Sequence, residues 1–122
     1  MPDENSHAAL KALSFAARDG LIVPSHFWQE VRNVFLVNER RGRLTQVGTS
    51  KGLTLVAGIH PTVDDASEHM AVLEIARRHN LTSYDAAYLE LALRRGLPLA
   101  TLDKKLAKSA LTEELEVVSD FV

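Results

Sequence analysis

Two short apolar runs set the architecture. LIVP at 21–24 and LPLATL at 97–102 do not alternate apolar with polar residues. Each therefore reads as a strand buried on both faces, and each is followed at once by a segment of helical period. That alternation predicts an α/β domain: a mostly parallel sheet with helices on both faces, in three layers. PTV at 61–63 and LEVVS at 115–119 are further short strands. Helices are expected over 5–18, from the Ser25 cap to about Arg41, over 66–79 and 82–95, and from 104 to about 110. The helix after Ser25 offers Trp28, Val31, Phe35 and Asn38 as a core stripe. Residues 44–58 stay ambiguous. Leu44, Val47, Leu55 and Val56 have helical spacing, while Gly48, Gly52 and several threonines weaken a helix. The 122 residues fit one domain, 1–122. One irregularity stands out: the chain opens on a helix, where such a unit opens on a strand.

Composition removes whole classes of function. There is no cysteine, which excludes disulfide scaffolds, thiolate metal sites and thiol catalysis. Lys and Arg total 14 against 16 Asp and Glu, a net charge of −2, so a globally basic nucleic-acid binder is excluded but a local basic patch is not. No apolar run approaches the ~18 residues of a membrane span. The polar, acidic opening MPDENSHAAL is unlike a signal peptide, and a cytoplasmic protein without membrane contact is expected. No glycine-rich phosphate loop and no G-x-S-x-G elbow occurs, and the five histidines lack the i, i+4 pairing of zinc helices.

Ligands of open α/β sheets bind beyond the carboxyl ends of the strands, where the next helices begin. Three acidic residues fall there: Glu30 after strand 21–24, Asp103 after strand 97–102, and Asp85 in the first turn of helix 82–95. Each has an ordinary alternative. Asp103 is a good cap for the helix at Lys104. Thr82-x-x-Asp85 has the form of a capping box. Glu30 suits a solvated helix face, although it shares that face with Asn33 and Val37. Asp85 lies on one stripe with Tyr88, Leu89 and Ala92, which turns it inward. Three converging carboxylates repel one another unless a cation compensates, and all-oxygen ligands favour Mg²⁺ or Mn²⁺.

LTSYDAAYLELALRRGLPLATLDKKLAKSA at 81–110 closely resembles the C-terminal half of PIN-domain ribonuclease toxins, the VapC-like toxins of type II toxin–antitoxin pairs. VPSHFWQEVRNVFL at 23–36 resembles the segment carrying that family's second acidic residue, followed three positions on by Asn. PDE at 2–4 resembles the turn after its first strand. The resemblance implies a metal-dependent endoribonuclease with sheet order 3-2-1-4-5. It implies Mg²⁺ or Mn²⁺ on Glu30, Asp85 and Asp103, which serve as both metal ligands and catalytic residues, with Asn33 and Thr101 in support. Thr101 equally suits an ordinary strand position. The implied partners are an RNA substrate, a cognate antitoxin and a second copy of the chain. The family's first strand and its Asp lie upstream of the turn at Pro2, so that strand is expected to be missing here. The alternative is a binding module that docks an antitoxin or dimerises without cleaving RNA.

If that order holds, strands 21–24 and 97–102 flank the place of the first strand. Neighbouring strands lie about 4.8 Å apart, so an empty place would be a slot of roughly 9–10 Å. Unpaired buried backbone groups make an open slot unfavourable. The expectation is a strand held outside this numbering, a strand from another chain, or direct pairing of 21–24 with 97–102.

The arginine pairs 40–41, 77–78 and 94–95 sit at helix ends and read as solvated caps that complement the helix dipole. Lys104 and Lys105 lie on the carboxylate edge and are candidate contacts to RNA phosphates. Phe27, Trp28 and Phe35 suit either core or an interface.

Overall fold

The computed structural model describes residues 20–101 and 103–118. The expected helix over 5–18 and the turn at 2–4 lie outside the described residues. Nine elements follow in order: β1 (Ile22–Pro24), α1 (Phe27–Arg40), α2 (Gln46–Gly58), β2 (Thr62–Asp64), α3 (His69–His79), α4 (Ser83–Arg95), β3 (Leu99–Ala100), α5 (Lys104–Thr112) and β4 (Val117–Val118), counted among the described residues.

The ambiguous stretch 44–58 contains a helix. Thr45 caps it by accepting the Gly48 N–H at 3.0 Å. Gly52, which weakens the helix by propensity, is where α1 approaches. A Cβ there would lie 2.6 Å from the Phe35 ring. Close packing of α1 on α2 thus requires the missing side chain.

Both strand pairs are parallel. In β1–β2 the partners are Ile22 with Thr62, Val23 with Val63 and Pro24 with Asp64. In β3–β4, Leu99 faces Val117 and Ala100 faces Val118. These are the outer neighbours that the order 3-2-1-4-5 requires on each side of its first strand. The direct pairing of 21–24 with 97–102 does not occur among the described residues, and no described strand joins the two sheets. Helix α4 packs on both β1 and β3. The strand expected over 97–102 is reduced to Leu99–Ala100. Pro98 has no N–H for the ladder, and Leu102 lies outside the described residues. The ladder continues weakly where the Thr101 N–H reaches the Val118 carbonyl at 3.3 Å.

The core lies between α3, α4, β3 and α5. Val72, Ile75, Leu89, Leu99 and Leu106 are buried in it, and Ala86, Ala92 and Ala110 let the helices approach. The stripe expected on α1 is not part of this core. No α1 residue is buried, and Trp28, Val31, Phe35 and Asn38 are half-exposed. The period placed them on one face, but that face lies against α2, which buries nothing fully either.

Candidate metal centre

The ends of three helices carry the acidic residues. Helix α4 begins at a Thr82 cap whose hydroxyl accepts the Asp85 N–H at 3.1 Å. Asp103 caps α5, its Oδ1 accepting the Leu106 N–H at 2.8 Å. Glu30 lies in the first turn of α1. The capping readings of Thr82 and Asp103 are therefore realised, and they do not exclude a site. The Asp85 carboxyl is held above its ordinary value, first by burial, then by the charges of Asp103 and Glu30. The three carboxylates thus act on one another, as their placement at helix starts predicts. Among the described residues, no Lys or Arg forms an ion pair with Asp85 or Asp103.

Two neighbours were not picked out by sequence reasoning. The Tyr88 hydroxyl donates to Glu30 Oε1 at 2.5 Å. Burial, then the Glu30 bond, pushes the Tyr88 phenol well above its ordinary value. The signal was present, since Tyr88 lies one turn from Asp85 on the inward stripe. His26, not Ser25, occupies the cap position of α1, and its side chain makes no cap hydrogen bond. Its ring meets Tyr84 and Tyr88 edge to face, with centroids 5.3 and 5.2 Å away. His26 Nε2 is buried without a hydrogen-bond partner. It lies 3.4 Å from Glu30 Oε1, within ion-pair reach but not aligned to bond. The signal was again local, since His26 and Glu30 stand four positions apart at the start of one helix.

Thr101 positions the loop that carries Asp103, its hydroxyl accepting the Asp103 N–H at 2.9 Å. Asn33 is exposed on α1, one turn beyond Glu30. Lys104 is exposed at the start of α5. Lys105 is turned towards the end of α3, donating to the Asn80 carbonyl at 2.5 Å.

Arg94 and Arg95 sit in the last turn of α4 and stay partly exposed, as the reading of solvated caps expects, but they also bind a carboxylate that this reading left out. Asp64, the last residue of β2, is buried with its side chain 2% exposed, and both arginines close on it. Arg94 Nη1 and Nη2 donate to its two oxygens at 3.0 and 3.1 Å, and Arg95 Nε donates at 2.6 Å. Arg94 also holds buried Glu90, with Nε to Oε2 at 2.8 Å. Likewise Arg78, although exposed, bonds Glu74 and Glu113. A helix-end arginine pair marks the location, but the tertiary fold decides which distant carboxylate, Asp64 or Glu113, waits there.

A divalent cation can be tested against this donor set. Its chemistry suits a hard ion: carboxylate oxygens, with a mutual repulsion that positive charge would relieve. Its spacing is open. Among the described residues no three His, Cys, Asp or Glu side chains are gathered into a ligand cluster. The oxygen donors, rather than their spacing, suit Mg²⁺, which keeps several waters and takes only one or two carboxylates directly.

The PIN domain profile matches residues 2–111 of the 122. The chain belongs to the PIN domain family. Comparison with curated proteins gives no significant match. PIN domains are generally metal-dependent nucleases. The short parallel strands and helices of the chain are those of a PIN domain. No described helix is long and apolar enough to cross a membrane.

Proposed function

We propose that this PIN domain is an endoribonuclease that hydrolyses RNA phosphodiesters, a VapC-like cytoplasmic toxin restrained by a cognate antitoxin and acting as a homodimer. One observation carries the nuclease reading: Asp85, Asp103 and Glu30 share an electrostatic site at the starts of three helices, with burial and repulsion raising Asp85. Glu30, Asp85 and Asp103 would hold Mg²⁺ or Mn²⁺. When bound, the ion supplies charge to the phosphate and acidity to water. The chain's own residues do the rest. Tyr88 fixes Glu30 Oε1, which limits the rotamers of a half-exposed carboxylate. Thr101 and the α5 cap hold Asp103. Lys104, exposed beside Asp103, would meet RNA phosphate. The test is cleavage of RNA by this chain in Mg²⁺ or Mn²⁺ and in EDTA. Cleavage that survives EDTA, or full rates in both Asp85→Asn and Asp103→Asn, would sink the proposal.

A second reading is a binding module that docks an antitoxin or dimerises without cleaving RNA. The open spacing of the carboxylates favours it. So do the exposed apolar side chains Val34, Leu36 and Leu55 on the α1–α2 pair, suited to a partner surface. Tight, saturable Mn²⁺ binding at Asp85 would count against it.

A further inference from the structure

A cleft of about 370 Å³ opens beside His26, the neighbour of Glu30, and is lined from the starts of α1, α3 and α4. Its size lies within the usual range of small-ligand sites. Ser67, Ser83, His26 and His69 line it, together with the apolar Val72 and Leu73. No Lys, Arg, Asp or Glu lines it. An anion placed there would meet no lysine or arginine. A cation would meet no acceptor charge within the cleft. An uncharged planar ring suits it: apolar faces for Val72 and Leu73, and polar edges for hydroxyls and imidazoles. His26 ties the cleft to the acidic site, since its ring forms part of the wall while its Nε2 lies 3.4 Å from Glu30 Oε1. Ser83 does the same from α4, two residues before Asp85.

We propose that this cleft takes a nucleobase of the RNA strand, next to the phosphate that a cation on Glu30, Asp85 and Asp103 would meet, and that Ser67 and His69 select which base. The inference rests on the nuclease reading for the phosphate, and on the cleft alone for the base. Single-stranded RNA is read in this manner, with unstacked bases packed on side chains and hydrogen-bonded at their edges. Hydrogen bonds from Ser67 and His69 would favour the base whose edge they match.

The first experiment titrates the four uncharged ribonucleosides into the whole chain and follows backbone amide NMR signals. Saturable shifts at Ser67, His69 and Leu73 are expected, with one base favoured about tenfold over the poorest. Ser67→Phe, which fills the cleft, and His69→Ala, which spares the fold if the phenylalanine does not, should each weaken that binding about tenfold while Mn²⁺ binding stays unchanged. The second experiment maps cut sites in a random RNA pool. A base preference at one position beside the cut, altered in both variants, supports the proposal. Cleavage without saturable nucleoside shifts, or with the same cut-site preference in both variants, overturns the base cleft alone. Nucleoside binding without metal-dependent cleavage overturns the nuclease reading, and with it the placement of the base beside a cleaved phosphate.

Discussion

Asp64→Ala removes the anion on which Arg94 and Arg95 close. The side chain of Asp64 is 2% exposed, while those of Arg94 and Arg95 are 30% and 42% exposed. Breaking a buried ion pair costs about 3–5 kcal/mol, chiefly because the surviving charge is stranded. Here the survivors reach water, and Arg94 keeps Glu90, so the lower end applies, about 3 kcal/mol. For a chain of this size that lowers the thermal midpoint by about 10 °C. The same group makes the loss pH-dependent. The Arg94 bond above all, then the Ala66 N–H and Arg95, hold the Asp64 carboxyl well below its usual value of 3.8. A depressed acid stabilises the fold fully above its unfolded pKa and loses that contribution as pH falls towards the folded one. Differential scanning calorimetry of wild type and variant should therefore show a constant gap between about pH 5 and 7, narrowing below about pH 4. Glu74→Gln, which breaks an exposed pair with Arg78, is the control and should leave the midpoint in place. Equal midpoints for wild type and Asp64→Ala at pH 7, or a gap that widens on acidification, would refute the clamp.

Asp85→Asn should raise the thermal midpoint in EDTA, since it removes a carboxylate penalised by burial and by Asp103 and Glu30. Added Mn²⁺ should then stabilise the wild type and not the variant, which thermal melts with and without the ion would check. Tyr88→Phe frees Glu30 Oε1 and should weaken Mn²⁺ about tenfold in an isothermal titration with little change in fold. Gly52→Ala drives a methyl into the Phe35 ring and should cost about 1–3 kcal/mol in urea unfolding. An unchanged urea midpoint would show that α1 and α2 separate freely.

The local chemistry of this protein was legible in the order of its residues. Thr82 and Asp103 are good caps wherever they precede a helical period, and they cap α4 and α5. LIVP is apolar throughout, and Val23 and Pro24 in β1 are buried. The stripe of Asp85, Tyr88, Leu89 and Ala92 turns inward as its period requires, with Leu89 fully enclosed. The placement of Glu30, Asp85 and Asp103 at helix starts followed from a general property of parallel sheets, that helices start at one edge, but among the described residues they are not gathered into a ligand cluster. Relations between distant elements were not legible. The 44–58 helix depends on Phe35 filling the space above Gly52, and the stripe of α1 on meeting α2 rather than the core. Tyr88 reaches Glu30 across 58 positions, and Arg94 reaches Asp64 across 30. The physical reason is range. Periodicity, caps and turn residues report forces acting within one or two helical turns, whereas a hydrogen bond between remote side chains exists only after the backbone has brought them within about 3 Å.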